Sequence, residues 1–82
     1  MLQIAWINTD TENPGDTADV TIWDAIEHRI EVFHADTGVT VSAKQTEIVD
    51  RATELLQSDG YIVHTVEPHA GGFAAIVEIP QE

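Results

Sequence analysis

Cysteine is absent from this chain, and cations are scarce: three Lys and Arg residues stand against fifteen Asp and Glu. Without cysteine there is no disulfide, no thiolate metal ligand and no thiol nucleophile, and nothing marks an oxidising compartment. The cations Arg29, Lys44 and Arg51 are scattered, so the clusters of Lys and Arg that grip phosphates are missing. Direct binding to DNA, RNA or an anionic membrane is therefore disfavoured. Long apolar runs are missing too. Residues 2–7 follow no basic stretch and fall far short of a signal peptide or a membrane span, so a cytoplasmic protein is expected. No G-x-S-x-G elbow, P-loop or G-x-G-x-x-G occurs. A chain of 82 residues also has little room to enclose a substrate. The expectation is a protein that is not an enzyme and carries no cofactor.

What is present is 43% hydrophobic residues, enough for one modest core in a single domain spanning residues 1–82. The formal net charge of -12 has three compatible explanations. It is a solvated surface, an adaptation to a high-salt (halophilic) cytoplasm, or an acidic face that docks on a basic protein.

The clearest local pattern lies in residues 42–79. Ser42 and Gln45 have capping-box spacing, with Val41 as the apolar half of a staple. Ile48, Val49, Ala52, Leu55 and Leu56 form one apolar helical stripe, with Glu47, Asp50, Arg51 and Glu54 on the opposite side and Glu47–Arg51 as an i,i+4 pair. Ser58-Asp59-Gly60 is the helix stop. Two β-rich runs follow, 61–67 and 73–79, joined by Pro68-His69-Ala70-Gly71-Gly72, which reads as an antiparallel hairpin. Phe73, Ala75, Val77 and Ile79 share one face and Ala74 and Ile76 the other, so the last run belongs inside a sheet.

Upstream, residues 2–7 read as a strand apolar on both faces, and 8–19 as a long acidic loop turning at Asn13-Pro14-Gly15. Ile22, Ile26, Ile30 and Phe33 suggest a helical stripe, giving a short helix at 21–28. Strands at 29–34 and 38–42 would then close a hairpin over Ala35-Asp36-Thr37-Gly38, pairing Val39 and Val41 with Ile30 and Val32. The expected fold is α+β, a two-layer sandwich: an antiparallel sheet of four to five strands with one or two helices on one face. Its best-guess order, β-α-β-β-α-β-β, opens like the ferredoxin-like split βαβ unit. Trp6 and Trp23 are expected in the core. A sheet apolar on both faces must also cover its second face, which makes a homodimer plausible.

Leu55-Leu56-Gln57-Ser58-Asp59-Gly60-Tyr61-Ile62-Val63 followed by a glycine-tipped hairpin resembles a winged-helix recognition helix running into its wing. The resemblance covers about half the chain and implies DNA binding, with basic residues on helix and wing. Here the helix carries Glu47, Asp50 and Glu54 against Lys44 and Arg51, and the hairpin carries no Lys or Arg.

Among candidate sites, Asp10-x-Glu12-x-Pro14-Gly15 opens like a calcium loop, but Pro14 stands at a ligand position and Thr21 where a bidentate Glu belongs. His28, His34, His64 and His69 lack zinc-ligand spacing, and His64 reads as a core or edge histidine within a strand. No metal is expected. The candidate partner-binding residues are Asp10, Glu12, Asp16 and Asp19 in the loop and Glu47, Asp50 and Glu54 on the helix. They point to a non-enzymatic acidic interaction module, of the kind in which viral or accessory inhibitors mimic nucleic acid. Its partner would be a basic protein surface, with nucleic-acid-binding proteins as the natural candidates. The alternatives are a winged-helix-like DNA-binding regulator from a halophilic cytoplasm and a small metal- or ligand-binding enzyme-like domain.

Overall fold

The computed structural model describes residues 2–24 and 30–79. Five strands and one helix are found among them: β1 Leu2–Asn8, β2 Thr17–Asp24, β3 Ile30–Thr40, α1 Gln45–Ser58, β4 Ile62–His69 and β5 Gly72–Glu78. The strands form one antiparallel sheet in the order β3-β2-β1-β5-β4. β1 to β3 form a meander, and α1 then carries the chain from one sheet edge to the other, where the β4–β5 hairpin returns β5 alongside β1. The two-layer α+β architecture is as expected, and the ferredoxin-like strand order is not.

The difference starts in β2. Ala18, Val20 and Ile22 alternate with Asp19, Thr21 and Trp23, and the first three are fully buried. This period of two, rich in β-branched residues, overrides the three- and four-residue spacing that suggested a helix at 21–28. Residues 21–24 are strand, 25–28 lie outside the described residues, and β2 begins at Thr17 rather than after Asp19.

The second correction concerns β3. Ala35-Asp36-Thr37-Gly38 does not reverse the chain; it lies inside one 11-residue strand paired along β2. Thr17 faces Thr40 and Asp19 faces Asp36, so β3 takes two more residues than β2 across this interval. The surplus is absorbed locally, as in a bulge. Gly38 adopts φ 72, its N–H donates to Asp36 Oδ1 at 2.8 Å, and the buried Thr37 hydroxyl donates to the Ala18 carbonyl at 2.7 Å. Turn residues here thus serve a kink, and Val39 and Val41 do not pair with Ile30 and Val32.

α1 covers one sheet face. Ile48, Ala52 and Leu56 are buried against Ala5 and Ile7 of β1, Val20 and Ile22 of β2, and Phe73, Ala75 and Val77 of β5 in a single core. Burying each large aliphatic side chain contributes about 1.5–3 kcal/mol. Phe33 and Tyr61 meet edge-on, with ring centroids 5.6 Å apart, at its margin. The helix stops as expected: Gly60 has φ 96, its N–H donates to the Gln57 carbonyl and that of Tyr61 to the Leu56 carbonyl, a Schellman closure. The start differs. Lys44, not Ser42, is the N-cap, with no side-chain cap. Ser42 instead lies within hydrogen-bonding distance of the Thr40 hydroxyl, at 3.3 Å, because the turn leaving β3 occupies 41–43. Arg51 pairs with Glu54 at 3.0 Å rather than with Glu47.

The C-terminal hairpin is confirmed, but its strands are integral to the sheet and do not form a free wing. Only one helix occurs among the described residues, so the helix-to-hairpin resemblance is accompanied there by no helix-turn-helix. No helix among them is long and apolar enough to cross a membrane. β5 lies inside the sheet, as its two apolar faces suggested.

At the β1–β5 junction Gly72 faces Asn8, and a Cβ there would stand 2.0 Å from the Ile7 carbonyl oxygen and 3.0 Å from the Trp6 ring. A Cβ on Gly38 would meet open space, leaving only the backbone penalty of positive φ. Gly72→Ala should therefore destabilise by about 3 kcal/mol and Gly38→Ala by about 1 kcal/mol. Urea denaturation of both variants checks this; equal losses would contradict the close approach at Gly72.

Candidate functional site

Strand alternation sorts the outward side chains. With Ala5, Ile7, Val20, Ile22, Ala75 and Val77 turned to the helix, Leu2, Ile4, Trp6, Asp19, Thr21 and Ile76 are carried on the other face. No described element covers that face. Leu2 and Ile4 are each 63% exposed, Ile62 48% and Ile76 40%. Trp23 is 48% exposed, against the expectation that it is a core residue. Trp6 is half-buried, its indole lying over Gly72 and tilted against the His69 ring at 6.4 Å.

The register arranges this face in rows. Ile62, Glu78 and Leu2 make one row, and Thr65, Ile76 and Ile4 the next. Glu67, Ala74, Trp6, Thr21 and His34 follow, and then His69, Gly72, Asn8, Asp19 and Asp36. The face thus runs from an aliphatic end to an acidic end. Glu78, the acid in the aliphatic rows, is engaged by His64 at 2.9 Å. His64 is accordingly an exposed edge-strand residue rather than a core one.

The acidic end continues into the loop between β1 and β2. Asn8, Asp10, Thr11, Asp16, Thr17 and Asp19, with Val41, line an open cleft of about 290 Å³. The loop is held by its own polar groups: the Thr11 hydroxyl donates to Asp16 Oδ2 at 2.7 Å, and Gly15 N–H to Asn13 Oδ1 at 3.1 Å. The Thr9 N–H donates to the Gly71 carbonyl at 3.0 Å, fastening the loop to the β4–β5 turn. Three of the sequence-derived candidates, Asp10, Asp16 and Asp19, are thereby brought together. Glu12 is exposed on the same loop but does not line the cleft. Glu47, Asp50 and Glu54 stand on the exposed side of α1, in the layer beyond the opposite face, and Glu54 is already paired with Arg51.

Sequence reasoning missed Asp36. It sits directly across from Asp19, and like charges in that position are destabilising. The Gly38 N–H and the Thr17 hydroxyl, which donates at 2.8 Å, hold its carboxyl below the ordinary 3.8; His34 adds a smaller attraction and slight desolvation opposes. His34 Nε2 lies 3.4 Å from Asp19 Oδ2. The signal for Asp36 was present in Asp-x-Gly, but it read as turn chemistry. Among the described residues no three His, Asp or Glu side chains are placed to hold a metal ion. The described cations, Lys44 and Arg51, both belong to α1 or its cap, and no strand carries one.

Comparison with protein families, with characterised proteins and with solved structures finds no match to this chain.

Because the folded-state pKa of Asp36 is depressed, its contribution to stability is present above the unfolded value of 3.8 and is lost as pH falls through the lowered value. NMR titration of the Asp36 carboxyl should give a midpoint below 3.8 that rises in Thr17→Val. An unchanged midpoint in that variant would remove the Thr17 hydrogen bond as a cause.

Proposed function

We propose that this chain is a non-enzymatic acidic interaction module that docks on a basic protein surface, taking the place that nucleic-acid phosphates would occupy there. The observation that carries the reading is the convergence of Asp10, Asp16, Asp19 and Asp36 at one end of the sheet, where no strand or loop residue between 8 and 24 is a Lys or Arg. Fixed carboxylates on a strand and a tied loop present charge at defined spacing, which gives orientation as well as attraction. The net charge of -12 adds long-range steering that fades with salt. Carboxylates on α1 contribute to that field, but the helix also carries Lys44 and Arg51, which dilute its negative side.

A halophilic origin explains the same net charge without assigning it a site. The two accounts separate on whether position or total charge governs binding. In anisotropy titrations of a fluorescent oligo-lysine peptide at about 50 mM and 300 mM KCl, D10N/D19N/D36N should bind at least tenfold more weakly than E47Q/D50N/E54Q. Both variants remove three charges. Equal weakening would mean that net charge alone binds the peptide and would overturn the assigned site.

A further inference from the structure

The open sheet face has two properties that docking by charge alone leaves unused: an aliphatic end and a tryptophan beside it. Leu2, Ile4, Ile62 and Ile76 occupy two adjacent rows, and Ile4 and Ile76 are direct cross-strand neighbours. Trp6 bridges from these rows to the acidic one, its ring reaching over Gly72. An uncovered patch of this kind, apolar at one end and carboxylate-rich at the other, has the composition of a recognition surface.

We propose that this face seats a cationic amphipathic helix from the basic partner, its apolar side on Leu2, Ile4, Ile62 and Ile76 and its Lys or Arg side reaching Asp19, Asp36 and Glu67. The inference rests on the proposed function for the partner's charge and extends it by naming the shape and the second half of the contact. Three observations select this occupant. The first is charge complementarity: the described strands carry Asp19, Glu31, Asp36, Glu67 and Glu78 outward and no Lys or Arg. The second is size. Five strands about 4.8 Å apart, and four rows two residues apart at about 3.3 Å per residue, make a face roughly 20 Å square. A helix of four turns, about 22 Å long and about 10 Å wide, spans it. The opposite face is already closed in this manner by the 14-residue α1. Such a contact falls at the small, transient end of the interface range.

The third observation weighs against a second copy of the chain. In a two-fold face-to-face pair with its axis along the strands, the acidic end of one copy lies against the acidic end of the other. With the axis across the strands, the aliphatic end of each copy lies on the acidic end of its partner. Both arrangements are unfavourable, and each copy brings a net charge of -12.

Because Trp6 and Trp23 are both outside the core, intrinsic fluorescence reports directly on occupancy of the face. The probe is an 18-residue Leu/Lys peptide whose leucines follow a 3.6 period. Its controls are a scrambled Leu/Lys peptide and the periodic peptide with Gln in place of Lys. The periodic Leu/Lys peptide should bind the intact chain saturably at 1:1, blue-shift the tryptophan emission, and bind at least tenfold more tightly than either control. I4Q/I76Q, which changes exposed side chains and no charge, should lower that affinity at least tenfold while leaving oligo-lysine binding unchanged. Ile62→Gln on the edge strand should act in the same direction, so one variant that fails to fold leaves the other to decide. Equal binding of the scrambled or the Gln peptide would overturn the proposal, as would undiminished binding by folded variants at either position. Sedimentation of the chain alone as a dimer with protected tryptophans would assign the face to a second copy and overturn it equally. Loss of oligo-lysine binding in the wild type would instead strike the underlying charge-based reading.

Discussion

The structure depends on the pairing of β1 with β5, which joins the beginning of the described chain to its end. Residues from Leu2 to Asn8 pair in unbroken register with Glu78 to Gly72. Without this ladder the β1–β2–β3 meander and the β4–β5 hairpin are two fragments connected through α1, each too thin to bury a core. With it, Ala5, Ile7, Ala75 and Val77 form the middle of one apolar face, and α1 has a surface broad enough to bury Ile48, Ala52 and Leu56. The small side chains of Ala5, Ala75 and Ala52 and the larger ones of Phe73, Leu56 and Ile22 pack together in this one core. Gly72 is the position where this pairing has no room for a side chain, because the Ile7 carbonyl and the Trp6 ring already occupy it.

That same ladder creates the exposed surface. A strand at the middle of a single sheet has two faces, and one helix covers one of them. Ile4 and Ile76 are therefore neighbours for the same reason that Ala5 and Ala75 are, but they face outward. The acidic loop is placed by the same geometry: β1 ends at Asn8 beside Gly72, and the Thr9–Gly71 hydrogen bond holds 8–16 against the hairpin turn. Apolar and acidic surface thus adjoin because both are extensions of one central strand. Acid excess alone would have been consistent with a uniformly solvated shell. Its concentration at Asp10, Asp16, Asp19 and Asp36, at one end of a face whose described strands carry no Lys or Arg, gives the charge a direction.

Much of the second half of the fold was legible in the sequence. The stripe of Ile48, Ala52 and Leu56, the Gly60 stop and the glycine-tipped hairpin are local signals with local causes, and tertiary packing reinforced them. The region 17–40 was misread because two periodicities overlapped. Ala18, Val20 and Ile22 alternate strictly, while Ile22, Ile26, Ile30 and Phe33 also fit a helix, and local sequence does not weigh one against the other. The choice is made by β1 and β3, which flank β2 on both sides. Asp36-Thr37-Gly38 was legible as a conformational break and illegible as to its use, since a bulge and a hairpin draw on the same residues. The apolar doubling of β1 and β5 was visible, and so was the need to cover a second face; which face α1 would take was not. Of the candidate carboxylates, Asp10, Asp16 and Asp19 converge because a tied loop brings the first two to the start of β2, whereas Glu12 stays outside the cleft and the helical ones remain a separate group in the other layer.

The central claim is that one sheet face is sealed by α1 and the other is open in solution. Paramagnetic relaxation of isoleucine methyl signals by a soluble, uncharged agent measures this directly. The account predicts strong relaxation of the Ile4, Ile62 and Ile76 methyls and shielding of Ile7, Ile22 and Ile48. Comparable shielding of both sets in the isolated chain would show the second face already covered and would contradict the account.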